Sequence, residues 1–187
     1  MSTQLFVLLL IGTVLIGYGA IALTTRLRLR GTRVVVCPET HEPAAVTLDT
    51  GHAAVTAVWE KADLRLATCS RWPEREGCDQ ACVPQIVEGG DETRAKTIAA
   101  HFFEGKHCAI CQQTLDGVHA GQLQPGLLDP ITMHVLAWDE VPPQELPEDF
   151  GSWQAVCPNC TLAESFRRRF PDRVVDRIPR PGSTTPQ

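Results

Sequence analysis

Residues 5–23, LFVLLLIGTVLIGYGAIAL, carry no charged side chain. A bilayer offers no water to backbone N–H and C=O groups, so such a run must satisfy its own backbone as a helix. At about 1.5 Å per residue it reaches roughly the 30 Å thickness of the hydrocarbon layer. No Lys or Arg precedes Arg26, whereas Arg26, Arg28, Arg30 and Arg33 follow at once. A secretory signal peptide shows the opposite order, a basic start and a shorter apolar core before its cleavage site. Ala20-Ile21-Ala22 imitates such a cleavage site and keeps that alternative open. Basic flanks stay on the cytoplasmic side. The expectation is a single-pass anchor over residues 1–25 and a basic juxtamembrane segment over 26–33. The N-terminus then lies outside the cell inner membrane and the soluble part in the cytoplasm. Thr13 and Gly17 share one face of this helix, where a neighbouring helix can approach closely or where only lipid lies.

The remaining chain has the composition of a folded domain, since 43% of the 187 residues are hydrophobic and 21% charged. A net charge of −5 gives no global basic field for nucleic acid. Eight cysteines invite either four disulfides or metal ligation. A cytoplasmic domain keeps its thiols reduced, so the topology turns the reading toward metal.

An α+β pattern follows the anchor. RVVVC (33–37) and AAVTLDT (44–50) read as a hairpin, with the turn PETHEP between them. GHAAVTAVWEKA reads as a helix with Ala54, Val55, Val58 and Trp59 on its apolar face, and DLRLATC (63–69) as a strand. VEGGD (87–91) marks an internal boundary between modules at 34–88 and 89–178, with a tail at 179–187. DETRAKTIAAHFFEG predicts a helix capped by Asp91 and ended by Gly105. KHCAICQQTL reads as a knuckle, ITMHVLAWDEV contains a strand, and TLAESFRRRF (161–170) is the last helix. Trp59, Trp72, Trp138 and Trp153 are expected to pack small cores beside metal sites.

Cys108-x-x-Cys111 and Cys157-x-x-Cys160 form the stronger cysteine set. Two intervening residues let both sulfurs of a knuckle point inward, and four thiolates then meet tetrahedral zinc at about 2.3 Å. Four thiolates accept iron as well. The order of knuckle, strand, second pair and helix over residues 106–170 resembles the treble-clef zinc finger. That resemblance implies Cys108, Cys111, Cys157 and Cys160 as ligands, the last two at a helix start whose dipole favours thiolates. The remaining Cys37, Cys69, Cys78 and Cys82 lie together in the N-terminal half and form the weaker second set, in which His41 or His52 can replace a ligand. Two Zn2+ per chain are therefore expected.

Other chemistry finds no residues. Haem attachment needs C-x-x-C-H, but Gln112 and Thr161 follow the two pairs, and no βαβ frame suits a thioredoxin-like dithiol. His41-Glu42 is followed by Pro43, so H-E-x-x-H is absent, and no histidine has a glutamate two residues on, as zinc deaminases require. The chain has no P-loop, G-x-S-x-G or G-x-G-x-x-G motif and no ferredoxin run. Arg167, Arg168, Arg169, Arg173, Arg177 and Arg180 form a basic stretch tempered by Asp172 and Asp176. Those at 167–169, together with Arg26, Arg28 and Arg30, suit anionic lipid headgroups or a solvated, salt-bridged face.

CPETHEP, CSRWPEREGCDQAC and LAESFRRRFPDRVVDR give the chain a further likeness. It resembles a family of uncharacterised bacterial single-pass membrane proteins with cysteine-rich soluble domains. No activity is implied by that likeness. The expected function is a non-catalytic, zinc-binding adaptor or accessory subunit among membrane protein partners. An iron or dithiol redox protein and a membrane-tethered nucleic-acid regulator are the alternatives.

Overall fold

The computed structural model describes residues 3–72, 74, 77–115, 124–146 and 150–173. Helix α1 (Thr3–Leu29) takes in the uncharged run and carries Arg26 and Arg28 in its last turn. Its most apolar window has a mean hydropathy of 2.5 and none of it is buried against protein. It is long and apolar enough to cross a membrane, a property that anchors and signal sequences share.

The chain folds as two compact units, Met1–His101 with Pro142–Glu148 and Phe102–Val141 with Asp149–Gln187. In the first, β1 (Arg33–Val36), β2 (Pro43–Leu48) and β3 (Leu66–Cys69) form an antiparallel sheet in sequence order. The expected hairpin is β1–β2, paired from Arg33–Val46 to Val36–Pro43. Period-two alternation sends Ala44, Val46 and Leu48 of β2 inward, where they meet Val35, Leu66, Ile86, Cys37 and Cys82. Trp72 packs against the edge of this cluster.

Helix α2 (Thr50–Thr56) is shorter than its sequence pattern suggests. Asp49 accepts the N–H groups of Gly51 and His52 at its start. The Thr56 hydroxyl donates back to the His52 carbonyl and accepts the Asp63 N–H, which closes the helix early. Ala53 and Ala54 are buried, but Val55 and Trp59 are exposed, so the expected face is rotated. Trp59 is 76% exposed and packs in no core; its ring lies 5.8 Å from that of Tyr18 on α1.

The Gly89-Gly90 step does not part the units. Helix α3 (Val83–Gly89) runs into a 3-10 turn at Gly90–Thr93, and that turn is stitched to β1. Arg33 Nη1 donates to the Gly90 carbonyl at 2.5 Å and to Thr93 Oγ1 at 2.8 Å, and Ala95 N–H donates to the Thr32 carbonyl. Arg33 is therefore a 2% exposed member of the fold rather than part of a basic surface segment. The expected helix from Asp91 breaks at Arg94, which is extended and bridges Arg33, and α4 begins at Ala95 (Ala95–Phe103). Asp91 pairs with the Arg94 guanidinium at 3.2 Å instead of capping. Gly105, at φ +69°, stands just past the helix as expected.

In the second unit, β4 (Gly126–Leu128) is the middle strand between β5 (Val135–Ala137) and β6 (Gln154–Val156), all antiparallel. Leu127 and Val156 are fully buried, and β6 leads directly into α5 (Pro158–Arg169). Gly126 lets α5 sit down on the sheet. A Cβ there would stand 2.5 Å from Thr161 Oγ1 and 2.8 Å from the Leu136 carbonyl oxygen. Gly126→Ala should therefore destabilise this unit by about 1–3 kcal/mol, the usual cost of overpacking. Urea unfolding with a probe in residues 102–173 measures it, and an unchanged midpoint would mean that α5 does not depend on this close approach.

Candidate metal centre

The KHCAICQQTL segment folds as a tight hairpin. Cys108 N–H donates to the Gln113 carbonyl and Gln112 N–H to the Cys108 carbonyl, each at 2.9 Å. Gln112 takes φ +61°, a left-handed conformation that lets the chain reverse. His107 and Thr114 pair across the base. The hairpin is fixed to the sheet by the Ala109 N–H, which donates to the Ala155 carbonyl of β6 at 2.8 Å. Two residues beyond Ala155, Cys157 caps α5, and Cys160 lies in its first turn. Thr161 holds this corner, since its N–H and its hydroxyl both donate to the Cys157 carbonyl.

The four sulfurs of Cys108, Cys111, Cys157 and Cys160 consequently lie within 4.8 Å of one another. Cys111 Sγ and Cys157 Sγ are 3.6 Å apart. Tetrahedral zinc with bonds of about 2.3 Å needs sulfur–sulfur edges of about 3.8 Å, so the set fits one ion with little adjustment. A disulfide would bring sulfurs to about 2.05 Å, and all eight cysteines are free thiols. Cys108 is 0% exposed and Cys157 is buried, while Cys160 is half-buried and Cys111 exposed. One side of the set faces the protein interior and the other faces solvent.

Burial by itself would raise the Cys108 thiol, but the N–H groups of Cys157, Cys111 and Ile110 outweigh it and lower the pKa to about 6. Burial pushes Cys157 and Cys160 up; Cys108 and Cys111 add to both rises, while the hydrogen bonds of Cys160 oppose the rise at Cys157. The helix dipole favours thiolates at Cys157 and Cys160, and the backbone N–H groups of the hairpin favour one at Cys108 as well. A divalent ion then has to displace protons from Cys157 and Cys160.

Comparison with protein-family models, with curated proteins and with solved structures finds no match to the chain. Its chemistry is therefore read from its own geometry.

The same reversal occurs in the other unit around Cys37. Cys37 N–H donates to the Glu42 carbonyl at 2.9 Å and His41 N–H to the Cys37 carbonyl at 2.8 Å, with His41 at φ +58°. A third copy at Asp129 shows what the turn does. Asp129 N–H donates to the His134 carbonyl and Met133 N–H to the Asp129 carbonyl, with Met133 at φ +57°. The Asp129 carboxylate accepts the Thr132 hydroxyl and the Ile131 N–H, which hold its pKa below the usual range. This turn gathers N–H donors around the first side chain and favours an anion there, carboxylate or thiolate. The cysteine spacing is legible in the sequence but this shared device is not, because His41, Gln112 and Met133 are not residues that mark a left-handed position.

Cys37, Cys69, Cys78 and Cys82 line one small cavity in the first unit, together with Leu66 and Trp72. Their sulfurs are not all drawn within 4.8 Å of one another, as those of the first set are. Neither histidine lines this cavity. His52 Nε2 pairs with Asp63 at 2.8 Å, and His41 is exposed on its turn. Among the arginines, Arg167 bonds Glu164 at 2.6 Å, Arg168 reaches the Val135 carbonyl at 3.4 Å, and Arg169 lies over the Phe170 ring. Arg177 and Arg180 lie outside the described residues.

Loading zinc into the first set should release protons, and affinity should fall as pH drops. Cys157 and Cys160 carry protons that the ion must displace, and below about 6 Cys108 regains its own as well. Calorimetry of zinc binding in buffers of different ionisation heat counts those protons. Binding that releases none would contradict ligation by Cys157 and Cys160.

Proposed function

We propose that this chain is a membrane-anchored, non-catalytic zinc-binding module that serves as an adaptor or accessory subunit of a membrane protein complex. The observation that carries the reading is the convergence of Cys108, Cys111, Cys157 and Cys160 to within 4.8 Å. Four thiolates fill a tetrahedron and leave no position for a substrate or water, which is the pattern of structural zinc rather than catalytic zinc. The sequence of hairpin turn, β4–β5, β6 and a cysteine pair at a helix start supports a treble-clef-like arrangement of this unit. Its core is small, so the ion would contribute folding free energy directly.

Helix α1 supports anchoring through its length, its lack of charge and the basic residues at its C-terminal end. Tyr18 and Trp59, the two rings that meet beside it, are residue types favoured where a bilayer meets water. Basic residues after the span favour a cytoplasmic soluble part, the compartment in which thiols stay reduced. A partner surface is suggested by Leu162, Phe166 and Phe170, which keep helical spacing along α5 but are exposed. They stand beside Arg167, Arg168 and Arg169, so the face combines apolar and basic character suited to protein or anionic lipid.

Two experiments test this reading. Membranes of a bacterial host expressing the full chain with a C-terminal tag should retain it through carbonate extraction, and protease added to intact spheroplasts should leave the tag untouched. A soluble or externally cleaved product would remove the cytoplasmic anchor and favour disulfides. The detergent-purified protein should be colourless, contain zinc, and lose the ordered near-UV spectrum of its metal unit when a strong chelator removes the ion. Iron–thiolate absorption, or a fold indifferent to the chelator, would turn the reading toward electron transfer or toward unliganded thiols.

A further inference from the structure

The first unit contains four cysteines that the centre described above does not use. Cys37 closes the β1–β2 turn, Cys69 ends β3, Cys78 lies on the loop beyond it, and Cys82 stands at the start of α3. They are separated in sequence, yet all four line one cavity of about 20 Å³. That is room for about one water-sized sphere. Cys37 and Cys82 are buried, and Cys69 and Cys78 half-buried.

Free thiols packed at random in an apolar core need no polar setting, but these have one. The Cys37 turn repeats the Cys108 turn residue for residue along its backbone: first residue to the carbonyl five on, fifth residue back to the first, and the fifth in the left-handed region. The strands continue the match, since Val36 pairs with Pro43 as His107 pairs with Thr114. Thr40 occupies the place that Cys111 holds in the other turn. There its N–H and hydroxyl serve the Cys37 sulfur. The fourth ligand must then come from elsewhere, and Cys69 at the end of β3 faces the same cavity. Gln80 N–H donates to Cys78 Sγ at 3.3 Å, a second sulfur supplied with a backbone donor. Glu39, Asp79 and Arg71 line the same cavity.

We infer that Cys37, Cys69, Cys78 and Cys82 form a second tetrathiolate site for a thiophilic divalent cation of the zinc class, built on the same turn as the first. The turn orients one thiolate and the sheet supplies Cys69; the ion then draws Cys78 and Cys82 of the following loop inward to the remaining corners, because these sulfurs stand farther apart than those of the first set. Binding removes protons from the thiols and changes no oxidation state, so the site needs no further reactant. Its role is to tie the loop and α3 to the edge of the β-sheet, beside the small core that Leu66 and Ile86 share with Val35, Val46 and Leu48. The inference stands apart from the first centre, because the two sets share no ligand.

The test uses full-length protein in detergent, purified without added metal, with native mass and elemental analysis. Wild type should carry two zinc ions per chain. The double variant Cys157→Ser/Cys160→Ser should keep one, and Cys69→Ser/Cys82→Ser should keep the other. Wild-type stoichiometry in Cys69→Ser/Cys82→Ser would overturn the second site, and so would one ion in the wild type that is lost from Cys157→Ser/Cys160→Ser. One ion that survives Cys157→Ser/Cys160→Ser but not Cys69→Ser/Cys82→Ser would instead support the second site and sink the first. Should a variant fail to fold, alkylation of wild-type protein with peptide mapping decides the question. Cys37, Cys69, Cys78 and Cys82 should react at least tenfold more slowly before a strong chelator is added than after. Equal rates overturn the proposal. Protection confined to Cys78 also overturns it, because that would point to a harder ion held by Cys78 with Glu39 and Asp79, whose ligand atoms lie within 4.8 Å of one another.

Discussion

Everything in the second unit depends on four sulfurs held close together without a bond between them. Thiols that approach to 3.6 Å in a partly buried corner cannot all ionise, and burial alone disfavours each thiolate. The fold answers with N–H groups aimed at Cys108, and a bound cation would answer for the rest. The hairpin at 107–114, the anchoring bond from Ala109 to β6, and the Gly126–Thr161 approach all serve to fix where those sulfurs meet. The buried Leu127 and Val156 and the close approach of Thr161 to Gly126 are what the sheet of three-residue strands itself offers the helix.

One turn carries much of this chemistry. It occurs at Cys37, Cys108 and Asp129, each time with a left-handed residue in the fifth place and donors turned toward the first side chain. At Asp129 it stabilises a carboxylate that merely closes the β4–β5 connection. With cysteine in that place, the same donors stabilise a thiolate, and the turn becomes a ligand once other thiols arrive. Whether such a turn is structural or metal-binding is therefore decided by what the neighbouring elements bring to it, not by its own backbone.

The parts legible in the sequence were those set by strong local signals. The uncharged run, the β1–β2 hairpin and the C-x-x-C spacing each name their structure directly, because side-chain period and ligand spacing survive in any tertiary setting. Less legible were features decided by distant partners. A continuous helix from Asp91 looked sound locally, but Arg94 is pulled into extended backbone against Arg33, some sixty residues earlier in the chain. The Val55–Trp59 face was misjudged because Thr56 stops the helix through Asp63, a contact that no periodicity records. The charge balance among the cysteines was also hidden, since it follows from which sulfur the backbone N–H groups happen to face. Arg33, read as one more juxtamembrane cation, turned out to be a buried strut.

Ligation of zinc by the four converging sulfurs is tested by X-ray absorption at the zinc edge, on the protein as isolated from membranes. The spectrum should show four sulfur ligands at about 2.3 Å, with no shorter nitrogen or oxygen shell. A mixed shell containing nitrogen or oxygen would contradict that ligation, because the converging cysteines would then not be what holds the ion.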